Sequence, residues 1–222
     1  MGADVILYQF MNIRDISPEA VPALLSSLPP RRQEKVLSLR EERKRLQSLA
    51  AGLVSRNLLA SVGISDALLA YAENGKPYIQ NHPEWHLSIS HSGELAVCAI
   101  SRFPVAVDIQ RRDGIYPSIL SIGYTAAERG LCDRARNPEQ TFYDIWCRKE
   151  CKAKLRAYAH LREIDAIEPE RGFQYWKFSI PDYSGALYGA SDSVCLAEGT
   201  EMFPCARDTF SIISDASSRR SE

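Results

Sequence analysis

The first hundred residues alternate between strand-like and helix-like hydrophobic patterns. Residues 4–10, DVILYQF, predict a short opening strand. From residue 29 to 63, a basic stretch carries apolar residues at the i, i+3, i+4 spacing of a helix with one buried face. Residues 85–101 alternate in period two, break at His91-Ser92-Gly93 and resume as a more apolar run, which predicts a β-hairpin. The chain therefore begins as strand, long helix and hairpin.

A third strand is predicted at 104–112, VAVDIQRR with its preceding proline, and would extend the hairpin into an antiparallel meander. The chain then repeats the theme with a second long helix over 139–161 and further strands at 171–180, 186–191, 193–199 and 208–214. This order predicts an α+β fold of two similar halves related by a pseudo-twofold, each a long helix packed on a small antiparallel sheet. The predicted halves are residues 1–112 and 113–214, followed by a disordered polar tail at 215–222.

Composition and charge exclude several classes of protein. The 222 residues carry a formal net charge of -1, which argues against a general nucleic-acid or membrane binder. No apolar run approaches the length of a membrane span, and MGADVILYQF lacks the pattern of a signal peptide. The six cysteines include no C-x-x-C and no zinc-like spacing with histidine, so reduced thiols in a cytoplasmic protein are expected.

Two strand residues could address one metal ion. In VAVDIQ, Asp108 and Gln110 share a strand face, because side chains alternate along a strand. An oxygen donor from each could reach the same cation, but the pattern taken alone fits the solvent-facing side of a half-buried strand better.

A second candidate lies on the predicted helix at 139–161. In WCRKECKAK, Trp146, Glu150 and Lys154 are spaced by four and stack on one helix face. An ordinary surface Glu–Lys pair would contribute only about 0.2–0.5 kcal/mol. The same pair could instead place a carboxylate on a cation and a lysine on the phosphate that the cation holds.

The hairpin turn offers a third candidate. His91, between two serine hydroxyls, could hold a phosphate, with Lys76 of GKP supplying a nearby cation. A lone histidine at a strand end is also commonly a structural residue, so this pattern does not decide the matter by itself.

The order of these motifs is more informative than any one of them. A basic helix, GKP, LSISHS, VAVDIQ and W-x-x-K-E-x-x-x-K follow one another over about residues 29 to 160. This succession resembles the 4′-phosphopantetheinyl transferases of the larger, surfactin-synthetase (Sfp-like) type. The resemblance implies an enzyme that moves the 4′-phosphopantetheine arm of coenzyme A to a serine of an apo acyl or peptidyl carrier protein and releases 3′,5′-ADP.

The resemblance also assigns roles to residues of this chain. It implies that Mg²⁺, or Mn²⁺ in its place, is held by Asp108 and Glu150, with Gln110 at a third ligand position. Lys154 would contact the phosphate, and Glu150 is the candidate general base, although the metal alone could lower the pKa of the serine hydroxyl. The residues implied for binding coenzyme A are His91, Lys76, Lys149, Lys154, Arg32, Lys35 and Ser48.

Two departures from the family pattern change the expectations. Gln110 stands where a second acid is common, so we predict weaker metal binding than in a relative with two acids. The glycines often found after the second lysine are absent from KLRAYAHLREID, a segment expected near the carrier protein, so partner preference could differ.

Three functions agree with these residues. The transferase is favoured, and the other readings are a non-catalytic module that binds coenzyme A or a carrier protein and a Mg²⁺-dependent phosphohydrolase. The carrier protein is expected to approach through its acidic recognition helix, and two halves in one chain predict a monomer.

Overall fold

The computed structural model describes residues 5–72, 75–156, 161–178, 180–190, 193–196 and 205–207. The strand predicted at 208–214 and the tail predicted at 215–222 lie outside these residues.

The helices of the described residues are short except for two. They are α1 (Val21–Ser26), α2 (Pro30–Leu37), α3 (Glu42–Ser61), α4 (Pro117–Gly123), α5 (Ala126–Arg134) and α6 (Pro138–Arg156). The helical stretch predicted from 29 to 63 is thus divided between α2 and α3. Arg45 stabilises the break, because its Nη1 donates to the carbonyls of Leu39 and Arg40 at 3.2 and 3.0 Å, just beyond the end of α2.

Two four-stranded sheets carry the core. Their strands are β1 (Val5–Asn12), β4 (His86–Ser92), β5 (Leu95–Ser101), β6 (Val105–Arg111), β7 (Gln174–Phe178), β8 (Tyr183–Gly189), β9 (Ser193–Leu196) and β10 (Cys205–Arg207). A separate pair, β2 (Leu69–Tyr71) and β3 (Pro77–Ile79), forms a small ribbon. The first sheet has the order β4-β5-β1-β9 and the second β10-β7-β8-β6. β9 runs parallel to β1, and the other pairs of both sheets are antiparallel.

The predicted meander is wrong in its third strand. β4 and β5 form the expected hairpin, but β6 leaves the first sheet and pairs with β8 in the second, with Val105 opposite Gly189. Pro104, which has no N–H to give to a ladder, precedes β6 at the point where the chain changes sheets. The first sheet therefore includes β9 from the predicted second half of the chain, and the second sheet includes β6 from the predicted first half. The pseudo-twofold relation between the halves remains a prediction.

Serine side chains join β4 to β6 in place of backbone pairing. The hydroxyls of Ser88, Ser90 and Ser92 accept hydrogen bonds from every second N–H group along β6. The donors are the N–H groups of Val107, Ile109 and Arg111, at 3.0, 3.4 and 3.0 Å. Because these three serines lie on one strand face, they fix how β6 is placed against the first sheet. We call this set the serine ladder.

The apolar core lies between the two sheets. Ile6 and Tyr8 of β1 pack with Val107 of β6 and Phe178 of β7, all of them almost fully buried. On the outer sides, α3 contacts the first sheet and α6 contacts the second. This arrangement places the N-terminal half of α3, the hairpin turn and α6 around one opening.

The cysteines in the described side chains are free and buried, as the sequence predicts: Cys98, Cys132, Cys147 and Cys151. The side chains of the remaining two fall outside the described set. Among the described residues, no helix combines the length and hydropathy that a membrane crossing would require.

Candidate active site

A cleft of about 620 Å³ opens beside the β4–β5 turn. α3 contributes Arg43 and Gln47, and α6 contributes Trp146 and Glu150 on the opposite side. Gln110 lies at the inner end, and Tyr116, Phe142 and Tyr143 extend the wall outward. We call this space the central cleft.

Tight packing shapes the turn at the edge of the cleft. The break predicted at His91-Ser92-Gly93 is shorter in the structure, since β4 continues to Ser92 and the chain reverses at Gly93. Gly93 has a φ of 56°, and a Cβ there would lie 2.3 Å from the hydroxyl of Tyr183. That hydroxyl accepts the N–H of Glu94 at 2.9 Å, while Gln47 Nε2 donates to the Gly93 carbonyl at 2.8 Å. The turn is thus held by β8 of the second sheet and by α3.

Asp108 lies next to the cleft residue Gln110 and is buried, with 2% of its surface exposed. Its Oδ1 accepts hydrogen bonds from Ser90 Oγ and Lys154 Nζ, each at 2.7 Å. Its Oδ2 accepts one from Gln110 Nε2 at 3.2 Å. Because three donors meet this carboxylate, its position and orientation are fixed before any ligand arrives.

Lys154 carries its charge within this cluster. Burial is the largest influence and acts to lower the pKa of the Lys154 ammonium, but the charge and hydrogen bond of Asp108, together with the neighbouring Cys151 and Glu150, raise the pKa overall. The same ammonium donates to the Val107 carbonyl at 2.8 Å. Lys154 is therefore a fixed cation at the end of the predicted Trp146-Glu150-Lys154 face.

Glu150 lies one helical turn before Lys154 and is half-buried. Its pKa is raised, chiefly by burial and then by the negative charge of Asp108, with Lys154 acting in the opposite direction. A carboxylate in this environment is stabilised by any further cation that enters the cleft.

The donor set fits a hard divalent cation. Asp108 and Glu150 are carboxylates, Gln110 offers an amide oxygen, and Mg²⁺ prefers such ligands together with water and phosphate oxygens. Together with Lys154, the two acids leave the cluster with a formal charge of -1. The part of the chain that the structure describes contains no group of three or more His, Cys, Asp or Glu side chains arranged for a metal, so an amide or water must complete the set.

His91 lies on β4 close to the same cations. The imidazole is exposed, and its pKa is lowered by partial desolvation first and by Arg32 and Lys154 next. A neutral imidazole between two cations is well placed to gain a proton when an anion binds there.

The residues expected from the basic helix lie around Tyr71. Arg32 is buried and donates from Nη1 to the Tyr71 hydroxyl at 2.9 Å and from Nη2 to the Ser48 carbonyl at 2.6 Å. The Lys35 ammonium lies 4.4 Å from the centre of the Tyr71 ring. Burial lowers the pKa of Lys76, and the pKa of His86 is lowered chiefly by burial and then by the positive charge of Lys76.

The structure does not bring Lys149 into the cluster. Its Nζ is fully buried, lies 2.8 Å from Glu128 Oε2 and donates to the carbonyls of Leu161 and Ile164 at 3.0 and 2.6 Å. Glu128 also completes the capping box at the start of α5 with Thr125. The pair joins α5, α6 and the segment after α6.

Ser90 and Tyr183 hold the site in place. The sequence indicates Ser90 only as a hydroxyl that could help His91 hold a phosphate, and it does not indicate Tyr183. The alternation of Ser88, Ser90 and Ser92 was a usable signal, because three hydroxyls on one strand face require three partners. Tyr183 gave no comparable signal, since its partner at Glu94 is 89 residues away.

An α+β chain with two carboxylates and a fixed lysine at or beside a cleft between α3 and α6 has the features of a metal-assisted phosphate enzyme. The comparisons with curated proteins are more specific. The chain is 27% identical over 149 residues to the 4′-phosphopantetheinyl transferase Sfp of Bacillus subtilis, covering 65% of this chain and 66% of that protein. It is 34% identical over 84 residues to the transferase psf-1 of Bacillus pumilus, or 37% of this chain and 36% of the relative. A third relative, the transferase gsp of Aneurinibacillus migulanus, is 32% identical over 106 residues, covering 46% of this chain and 44% of the relative.

The matched part spans just under two thirds of the length of Sfp, at 66%. No protein-family model matches the chain. The comparisons confirm the resemblance to the Sfp-like 4′-phosphopantetheinyl transferases.

Proposed function

We propose that this protein is a 4′-phosphopantetheinyl transferase that modifies a serine of an apo carrier protein with coenzyme A as donor. One observation carries the proposal: Glu150 and Gln110 line the cleft, and the Asp108–Lys154 ion pair adjoins them, so that burial and the charge of Asp108 raise the pKa of Glu150. Two acids with one cation provide a place for a divalent cation and the phosphates it accompanies.

The reaction requires little covalent chemistry from the protein. The carrier serine oxygen forms a bond to the β-phosphorus of coenzyme A, and the bond from that phosphorus to the bridging oxygen breaks, which releases 3′,5′-ADP. Glu150 is the proposed acceptor of the serine proton, and Lys154 offsets negative charge on the phosphates. When bound, Mg²⁺ would neutralise the pyrophosphate, with Asp108 and Glu150 as its ligands and Gln110 or a water completing them.

The remaining cations agree with a nucleotide at the other end of the site. His91, Arg32 and Lys35 lie on β4 and α2, where they could meet the phosphates and the adenosine end of coenzyme A. Ser48 and Lys76 complete this proposed set. Lys149 is left out of the proposed coenzyme A site, because its ammonium is already paired with Glu128 and hydrogen-bonded to two carbonyls.

The outer part of the central cleft suits the second substrate. Exposed Arg43, Lys44 and Arg111 lie along its rim with the acids Glu41 and Asp113, so the rim has three cations against two acids and is compatible with an acidic partner surface such as the recognition helix of a carrier protein. The aromatic wall formed by Tyr116 and Trp146 could accommodate the apolar part of the incoming loop or the pantetheine arm.

A non-catalytic coenzyme A binder is the second candidate, and Gln110 is the observation that favours it. Because Gln110 is an amide and not an acid, the cluster carries one negative charge fewer and attracts a divalent cation less strongly. The fixed positions of Asp108 and Lys154 favour the enzyme, since a binder needs no preorganised acid.

The test is to measure 3′,5′-ADP formed from coenzyme A and Mg²⁺, with and without an apo carrier protein. The transferase forms it only when the carrier is present. Equal formation without carrier would identify a phosphohydrolase, whereas binding of coenzyme A without product, across several carriers, would identify the non-catalytic module.

A further inference from the structure

A second cavity lies next to Arg32, outside the central cleft. It measures about 230 Å³ and is enclosed by α3, the start of α2 and the segment that leads from α3 into β2. We call it the α3 cavity. Most of its wall is apolar, formed by Leu28, Pro29, Leu59, Ile64, Ala67 and Leu69.

One charged group in this wall has an unused donor. Arg32 is 5% exposed, and its two terminal nitrogens bind the Tyr71 hydroxyl and the Ser48 carbonyl. Its Nε has no hydrogen-bond partner among the described residues. A buried polar donor left unpaired costs roughly 1–3 kcal/mol, and more when the group is charged. The wall of the cavity therefore contains a cationic donor that lacks an acceptor.

Gly52 keeps this donor uncovered. A Cβ at position 52 would lie 3.0 Å from Arg32 Nε and 2.8 Å from Leu28 Cδ1. Glycine inside a helix costs about 1 kcal/mol relative to alanine, so its presence in α3 is unfavourable for the helix alone. In return, the glycine leaves open the space next to Nε, where both residues line the cavity.

The charge of the cavity has one sign. Arg56 is exposed at the mouth, where its Nη1 contacts the Ser27 carbonyl at 3.4 Å. The described lining residues include no carboxylate to balance Arg32 or Arg56. An apolar chamber with one deep guanidinium and a second at its entrance matches a ligand that is anionic at one end and apolar at the other.

We propose that the α3 cavity is a second binding site for a small monocarboxylate with a compact apolar body, of about the size of benzoate. An apolar cavity of about 150 Å³ holds benzene, so 230 Å³ accommodates a ring with a carboxylate attached. The carboxylate accepts the hydrogen bond from Arg32 Nε, and the ring packs on Leu59 and Ile64. Of the residues proposed for coenzyme A, only Arg32 also lines this cavity.

Methyl NMR on the full chain provides a localised test. The protein, labelled at its Leu and Ile methyl groups, is titrated with benzoate, with neutral benzyl alcohol and with acetate. We expect benzoate to shift the methyl signals of Leu59, Ile64 and Leu69 in a saturable manner and to leave Ile119 of the central cleft unchanged. Benzyl alcohol and acetate should bind at least about tenfold more weakly, because each lacks one of the two recognised features.

Variants separate recognition from misfolding. Ala67→Leu fills the cavity and should weaken benzoate binding at least about tenfold, while Ala60→Leu, at an exposed position of α3 outside the cavity wall, should have no effect. Arg32→Lys keeps the charge but removes Nε and should weaken benzoate more than benzyl alcohol. The proposal is overturned if these methyl groups do not respond, which indicates a cavity that holds only water. It is also overturned if benzyl alcohol binds as well as benzoate, or if Ala67→Leu folds and binds normally.

Discussion

Replacing Gln110 by glutamate tests how charge in the central cleft controls metal binding. The Gln110 amide nitrogen lies 3.2 Å from Asp108 Oδ2, so the new carboxylate would lie beside an existing one. Asp108, Glu150 and Lys154 together carry a formal charge of -1, and the new carboxylate at position 110 brings the charge of the cluster to -2. We expect opposite effects with and without a divalent cation.

The magnitude follows from Coulomb's law. Two unit charges about 4 Å apart interact by about 1 kcal/mol in water and about 4 kcal/mol at the effective dielectric constant of a protein surface. Gln110 is half-buried, so the interaction energy of a unit charge there with another unit charge lies between these limits. The attraction to a divalent cation is twice as large. Desolvation and salt reduce the gain, and we expect at least about 1.4 kcal/mol, which is tenfold tighter metal binding. Without metal, repulsion from Asp108 should lower the free energy of unfolding by about 1 kcal/mol.

The assay is the Mg²⁺ concentration that gives half-maximal transfer, combined with urea unfolding in the presence of a chelator. Gln140→Glu is the matched control, since Gln140 also donates to an aspartate, Asp144, at 3.0 Å but lies outside the cleft. A half-saturating Mg²⁺ concentration unchanged within twofold in Gln110→Glu would refute the electrostatic reasoning. So would an equal decrease in the Gln140→Glu control.

Three further predictions concern single side chains. Ser90→Ala removes one donor to Asp108 and should raise the half-saturating Mg²⁺ concentration several-fold, at a cost of about 1 kcal/mol in the free energy of unfolding. Glu128→Ala leaves the charge of Lys149 buried and unpaired, and urea unfolding should show a loss of about 3–5 kcal/mol. The lowered pKa of His91 keeps the imidazole mostly neutral at pH 7, and bound phosphate should raise that pKa, so coenzyme A binding takes up a proton and weakens as the pH rises. Calorimetry in two buffers of different ionisation enthalpy measures this uptake.

Each of these has a control and a contradicting result. Ser118→Ala, at an exposed serine, should leave Mg²⁺ saturation unchanged, and an equal effect there would exclude a specific role of Ser90. Glu41→Ala breaks an exposed pair with Lys44 and should cost at most about 1 kcal/mol. Proton uptake that persists in His91→Gln would assign it to another group.

Much of this molecule was predictable because local patterns agree with the final packing. The period-two run at 85–101 became the β4–β5 hairpin, and the spacing of Trp146, Glu150 and Lys154 became one face of α6. In both cases neighbours in sequence decide which side is buried.

The path of β6 was not predictable in the same way. Its hydrophobic pattern fits pairing with β5 or β8 equally well, and the serine ladder that selects its place depends on residues of another strand. The burial of Lys149 has a similar explanation. Its spacing on the helix matches a site lysine, but the distant Glu128 and the carbonyls of Leu161 and Ile164 hold it elsewhere.

The most direct test of the central claim is the intact mass of an apo carrier protein after incubation with this protein, coenzyme A and Mg²⁺. The account predicts that the carrier gains the mass of one phosphopantetheine arm, and that the gain is lost with a chelator or in Glu150→Ala. Glu139→Ala, on the same helix but away from the cleft inner end, should retain it. An unmodified mass across several carriers, from a folded protein that still binds coenzyme A, would contradict the claim.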